Sequence, residues 1–332
     1  MRKILIVGGA GYIGTVLSDH LLNQGFRVRS FDNFLYGNNH VILPSLIDPN
    51  YEHVYGDVCL DKDIDRAFDG VTDVVLLAGL VGDQITNKYP KQSKIVNETG
   101  VRNVIDRAQG KNLDKFIFVS TCSNYGLIEE DVLADETFPL KPLSTYAAAK
   151  VKIEQHLISL DRSTDFQPTI LRFATAFGLS PRMRFDLTIS EFTRTLALGN
   201  ELLVYDPDTW RPYCHVKDFS RLIETVLIAD RKKVANQIFN AGGDINNYTK
   251  KMVVDEIVKM LPGSKIKYLE KGTDPRNYKV DFTKVQQLLD FTPMYSVSDG
   301  VSELLDAIAD RVFDRVDIDV NFYGNYQTDY GK

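Results

Sequence analysis

The chain has 332 residues of which 44% are hydrophobic, enough to bury a sizeable core and extend it into a second lobe, so a disordered chain is not expected. A formal net charge of -6 argues against a protein whose main work is gripping the phosphates of long nucleic acids, while small anionic ligands need only a few well-placed arginines. Cys59, Cys122 and Cys214 are too few and too widely spaced for a disulfide framework or a zinc site, and no apolar run reaches the roughly 18 residues of a membrane span.

Free cysteines and a strand-like opening, Met1-Arg2-Lys3-Ile4-Leu5-Ile6-Val7, instead of a secretory core fit a reducing cytoplasm. No metal, nucleic-acid or membrane partner is expected.

Through the first half, short β-branched runs alternate with amphipathic stretches, the rhythm of crossover units on a parallel sheet. Lys3 to Val7 predicts the first buried strand. Ile13, Val16, Leu17 and Leu21 then share one helical face, with Gly25 as its stop. Further strands are predicted at Arg27 to Phe31, Thr72 to Leu77, Lys115 to Val119 and Pro168 to Phe173, and helices near Val101 to Ala108 and Ala147 to Leu160. Beyond about residue 175 the pattern loosens into helices at Leu187 to Leu198, Phe219 to Ile228, Met252 to Leu261 and Val301 to Val312. The expected class is α/β: a Rossmann-type, doubly wound parallel sheet over 1–174, completed by segments near 210–245. A smaller mixed α/β lobe over 175–332 is expected to bind substrate and carry the tail. No Gly/Ser-rich linker separates the two, so a cleft between them is the natural ligand site.

Directly after the first strand stands Gly8-Gly9-Ala10-Gly11-Tyr12-Ile13-Gly14. Glycines there permit a tight turn, let backbone N–H groups approach a pyrophosphate at a helix N-terminus, and bring helix and strand close. Asp32, at the end of the second strand, supplies a carboxylate for the adenosine ribose hydroxyls. With Asn33 following and no arginine after it, NAD is favoured over NADP, whose 2'-phosphate the carboxylate would repel.

Tyr146-Ala147-Ala148-Ala149-Lys150 opens a predicted helix, where positions i and i+4 share a face. The Lys150 ammonium is therefore expected to stabilise a Tyr146 phenolate and lower its pKa toward working pH, making a competent base.

Taken in this order, and with Ser120-Thr121-Cys122-Ser123-Asn124-Tyr125-Gly126 between them, these motifs resemble the extended short-chain dehydrogenase/reductase family, in its branch of nucleotide-sugar epimerases and dehydratases. The resemblance runs nearly end to end. It implies an NAD site built from Gly8, Gly11, Tyr12, Ile13, Gly14, Asp32 and Asn33, with Asp57 and Val58 toward the adenine. Leu77, Ala78 and Gly79 would lie beneath the cofactor, with Asn97 and Phe173 on the cofactor side. Lys150 would also hold the nicotinamide ribose, and Thr121 would hydrogen-bond the substrate oxygen from which Tyr146 takes a proton. The implied reaction is oxidation at carbon four of a nucleoside diphosphate sugar, as an epimerase or, alternatively, a net dehydrogenase. A non-catalytic NAD sensor would have no use for the Tyr146/Lys150 pair. A homodimer joined through the helices near Asn97 and Tyr146 is also implied.

Departures from the family pattern narrow this reading. In its 4,6-dehydratases an acid pair follows the catalytic threonine, where this chain has Cys122 and Ser123, so dehydration by that route is disfavoured and Cys122 reads as a packed thiol. Ser123 and Thr175, the latter where many relatives carry asparagine, remain substrate-side candidates. Arg211 and Arg276 resemble diphosphate clamps, or else make surface ion pairs. Arg184, with Arg182, either contributes to the same grip or forms a solvated pair. Asp83 lines the sugar pocket or simply turns the chain. His215, with no metal partner or acid in view, is expected to be structural. The tail from Asp317 to Lys332 either packs on the catalytic region or a partner, or frays.

Overall fold

The computed structural model describes residues 2–129, 132–160, 166–270 and 276–330. Seven strands form one parallel sheet: β1 (Lys3–Val7), β2 (Arg27–Asp32), β3 (Tyr51–Tyr55), β4 (Asp73–Leu76), β5 (Lys115–Thr121), β6 (Pro168–Phe173) and β7 (Gln237–Ala241). Their order is β3-β2-β1-β4-β5-β6-β7, reversing direction between β1 and β4. This is the Rossmann-type doubly wound sheet, and ligands of such sheets bind at the carboxyl ends of the strands where the order reverses.

Alternation within the strands explains both covered faces. Ile4 and Ile6 of β1, Val75 of β4 and Ile117 of β5 enter one apolar cluster; Leu5, Val7, Val74, Leu76, Phe116 and Phe118 enter the other. Leu17 and Leu21 of the helix Tyr12–Asn23, with Phe219 and Leu222 of the helix Val216–Ile228, cover the first face. Ile64, Val104, Ile105, Ile153 and Leu157, from helices Asp61–Phe68, Val101–Ala108 and Thr145–Ser159, cover the second.

Past β6 the chain builds smaller sheets. The strand Thr175–Phe177 runs parallel to Trp210–His215, which pairs antiparallel with Asn247–Thr249. Leu202–Tyr205 pairs with Ile266–Leu269. A separate apolar cluster containing Phe177, Val204, Tyr213, Val254 and Val301 packs these strands against helices Thr188–Ala197, Lys250–Met260 and Val297–Ala309. Among the described residues, no helix is long and apolar enough to cross a membrane.

Candidate active site

A cleft of about 820 Å³ opens over the carboxyl ends of β1, β2, β4 and β5, a size suited to a large organic ligand. At one end Gly8 turns out of β1 with φ +89°, where a Cβ would stand 2.8 Å from the Ala78 backbone nitrogen. A Cβ on Gly14 would meet the Gly8 carbonyl oxygen at 2.4 Å, so the helix Tyr12–Asn23 can press this closely on the loop only with glycine there. Gly11 begins that helix without a side-chain cap and lines the cleft with Ile13 and Gly14, leaving the N–H groups of the first turn for an anion. Tyr12 turns its side chain inward, and its hydroxyl donates to the Gly178 carbonyl at 2.6 Å. This bare cradle fits a dinucleotide pyrophosphate.

The Asp32 carboxylate accepts the Ala10 N–H at 3.1 Å and the Phe34 N–H at 2.8 Å, which holds it at the cleft floor beside Asn33. Burial raises its pKa and these two donors oppose the rise. Asp57, Val58, Leu77, Ala78, Gly79 and Phe173 also line the cleft. Phe173 stacks on Phe219 with centroids 3.7 Å apart. Asn97 does not line it. Its side chain accepts the Leu80 N–H at 2.7 Å and donates to the Leu80 carbonyl at 2.9 Å, propping the β4 loop from behind.

Thr121 ends β5, and its Oγ1 accepts the Ser123 N–H at 3.1 Å, turning the chain so that both side chains line the cleft. The helix Thr145–Ser159, capped by Ser144, brings Tyr146 to the same wall. Lys150 lies one turn on, its Nζ 5.9 Å from the Tyr146 ring centroid and donating to the Val119 carbonyl at 2.8 Å. Burial lowers Lys150 to about 8, with Glu154 opposing. The expected fall in the Tyr146 pKa is corrected by the structure: burial raises it, and the largest opposing influence is the cation of Arg184, not Lys150. Spacing put lysine and tyrosine on one face, but the ammonium donates to a strand carbonyl.

Arg184 and Arg182 are both buried, which removes the solvated-pair reading. Arg184 bonds the Asp186 carboxylate at 2.5 Å and the Val81 carbonyl at 3.2 Å. Burial works to raise Asp186, yet Arg184 together with Arg182 and the Asn325 N–H offsets it and the carboxylate is held low. Across the cleft Arg276 pairs with Asp83 at 2.7 Å and reaches Ser123 Oγ at 3.4 Å. Ser123 shares a 3.1 Å hydrogen bond with the Tyr278 hydroxyl. The Arg211 guanidinium lies 5.0 Å over the Tyr278 ring and donates to the carbonyls of Trp210 and Arg276. Thr175 completes this wall.

Cys122 does not line the cleft: it is buried and its Sγ lies 3.1 Å from the Arg172 carbonyl, and burial pushes its pKa up. His215 caps the helix Val216–Ile228 and bonds Glu303 at 2.8 Å, a structural assignment. Tyr278, Tyr36, Asp186 and Asn325, none of them singled out from the sequence, line the cleft together with Tyr330 of the tail expected to pack on the catalytic region or a partner, or to fray. Only Tyr278 carried a signal, two residues after Arg276. Among the described residues, no group of three or more His, Cys, Asp or Glu side chains is arranged to hold a metal ion.

The chain is 27% identical over 323 residues to a dTDP-glucose 4,6-dehydratase of Streptomyces niveus, covering 93% of each. It is 25% identical over 313 residues to a UDP-glucose 4-epimerase of Corynebacterium glutamicum, covering 89% of this chain and 92% of that one. In fold it resembles the crystal structure of a Bacillus cereus UDP-glucuronic acid 4-epimerase in complex with UDP-glucuronic acid and NAD (TM-score 0.83, 23% identity, 93% of this chain and 100% of that one). The sequence pattern of the NAD dependent epimerase/dehydratase family matches residues 4–242, from the first strand to just beyond the last strand of the sheet; the chain belongs to that family of nucleotide-sugar enzymes, and NAD is its cofactor.

Proposed function

We propose that the protein is a 4-epimerase of a nucleoside diphosphate sugar. The observation that carries the reading is the wall on which Thr121, Ser123 and Tyr146 meet while Cys122 turns into the core. Four carboxylates line the cleft among the described residues. Asp32 and Asp57 lie at the cofactor end, while Asp83 and Asp186 are each held by an arginine. None occupies the position after Thr121 that a dehydratase acid would take, although the Streptomyces niveus relative is a 4,6-dehydratase.

NAD, when bound, supplies a two-electron acceptor that can return the pair to either face of the sugar carbon. Tyr146 takes the C4 hydroxyl proton while Thr121 holds the same oxygen, and gives the proton back when the ketone is reduced from its other face. Arg184 is the cation that most favours the phenolate. Lys150, which lines the cleft and is anchored to Val119, binds the nicotinamide ribose in this reading. Arg211 and Arg276 offer guanidinium groups to the diphosphate.

The test is incubation of the purified holoenzyme with UDP-, GDP-, CDP- and dTDP-sugars, read by NMR for the C4 epimer and by nicotinamide absorbance. An epimer formed without net NADH is expected. Stoichiometric NADH with a free keto-sugar, or loss of water to a 6-deoxy product, would overturn the assignment.

A further inference from the structure

The last described residues are built into the cofactor site. The buried Arg182 guanidinium donates to the Gly324 carbonyl at 3.1 Å and to Asn325 Oδ1 at 2.9 Å. Asn325 Nδ2 donates to the Val81 carbonyl at 2.8 Å, so this side chain bridges Arg182 and the loop that follows β4. Phe322 stacks on His40 at 4.6 Å, and the Tyr323 carbonyl accepts the Phe185 N–H at 2.8 Å. Thr328 is buried. Five residues beyond Asn325, the Tyr330 hydroxyl donates to Asp57 Oδ1 at 3.1 Å, and its ring packs against the apolar cluster beneath. Asn325 and Tyr330 both line the cleft opposite the glycine loop.

The span is informative. Val81 follows β4 and Asp57 follows β3, three strands apart in the order β3-β2-β1-β4. Three strand spacings are about 14 Å. Five residues of extended chain reach about 17 Å. The segment from Asn325 to Tyr330 therefore crosses the ends of β4, β1, β2 and β3, the ground over which the adenosine half of the dinucleotide lies when its pyrophosphate is at Gly11 and its ribose at Asp32.

We infer that residues 321–330 are a movable wall of the NAD site, closing over the adenosine half of the bound cofactor through Asn325 and Tyr330, and that this wall must part before NAD can enter or leave. Its tip is held by two hydrogen bonds, to the Val81 carbonyl and the Asp57 carboxylate, which can break without unfolding either apolar face of the sheet. Arg182, further back, is the hinge-side anchor. A cofactor enclosed in this way stays with the protein through a turnover, as a reaction that returns its electrons to the same sugar requires.

Stopped-flow fluorescence of NADH binding and release tests this without any sugar substrate, so it stands or falls apart from the proposed reaction. A chain ending at Val320 is expected to release and to load NADH at least tenfold faster than the full chain. Asn325→Ala, which deletes the bonds to Arg182 and Val81, and Tyr330→Phe, which deletes the bond to Asp57, should each raise both rates severalfold and serve if the shortened chain does not fold. Wild-type rates in the folded variants overturn the inference. Faster release with unchanged loading also overturns it, because the tail would then contact the cofactor without enclosing it.

Discussion

Glu154 and Arg172 form a fully buried ion pair, with Nη2 2.8 Å from Oε2, that joins the helix of Tyr146 to β6. Glu154 also accepts from Ser120 Oγ and, at 2.9 Å, from Asn124 Nδ2, on either side of Thr121. One carboxylate thus sets the base-bearing helix against the strand end that presents the threonine. Glu154→Ala leaves a guanidinium buried without its partner, and the expected loss is about 3–5 kcal/mol of stability in urea unfolding. Glu154→Gln keeps the side chain's size and the acceptor for Ser120 and Asn124, but gives up the charge and the oxygen that accepts from Arg172 Nη2; it should lose less than Glu154→Ala. Equal losses in the two variants would mean that charge alone, and not the packing of the side chain, holds this junction.

Tyr146→Phe is expected to cut turnover by about 10²–10⁴-fold while NADH affinity stays within a few-fold, because only the phenolic oxygen that handles the proton is removed. Turnover near wild type would transfer the base role to another group, with Tyr278 next in line on the same cleft. Fluorescence titration and steady-state kinetics on one preparation make the comparison.

Lys150 gives a pH test. Burial lowers its folded pKa to about 8 against an ordinary value of 10.5, so between those values the unfolded chain holds a proton that the folded one has released. Stability contributed by this group therefore rises as pH climbs through that window and is lost as pH falls through 8. The full effect is roughly 3 kcal/mol. The difference in melting temperature between wild type and Lys150→Met, followed from pH 7 to about 11, should change in the wild type's favour as pH rises. A pH-independent difference would place the ammonium in a solvated setting.

The central strands were readable because both of their faces are buried. Lys3–Val7 and Pro168–Phe173 fall where their apolar runs predict, and β5 runs two residues further, to Thr121. Of the edge strands, β7 was expected only as part of a segment near 210–245, and β3 was not expected at all. Tyr51–Tyr55 has one sheet neighbour and half-exposes Glu52, His53 and Val54, so no apolar run marks it. Within the site, motif spacing put Tyr146, Lys150 and the glycine loop in place but said nothing of where side chains point. Lys150 turning to Val119 and Cys122 turning away from the cleft follow from packing. Tyr330 meets Asp57 across 273 positions of chain, and the Arg184 influence on Tyr146 likewise joins separate segments, relationships with no local pattern to read.

Asp32→Ala removes the carboxylate expected at the adenosine ribose and also the acceptor for the Ala10 and Phe34 N–H groups. NADH should weaken by at least about tenfold, the scale of one or two charge-assisted hydrogen bonds. NADPH should weaken far less, because repulsion of its 2'-phosphate disappears. The ratio of the two dissociation constants, from fluorescence titration, is the deciding quantity, and an unchanged ratio would remove Asp32 from cofactor discrimination.

Asp83 and Arg276 neutralise each other at 2.7 Å in the cleft near Tyr146 and Ser123, both partly exposed. If Arg276 grips the substrate diphosphate, the sugar nucleotide must first draw it from Asp83, and the two residues then act on KM in opposite directions. Arg276→Met is expected to raise KM about tenfold or more with kcat nearly kept, the loss of a charged hydrogen-bond pair. Asp83→Ala, by releasing the guanidinium from its internal partner, is expected to lower KM. A purely structural ion pair would behave otherwise: both variants would weaken binding alike and lower the melting temperature together. Steady-state kinetics of the two single variants and the double variant separates these cases, since competition predicts that the double variant follows Arg276→Met alone.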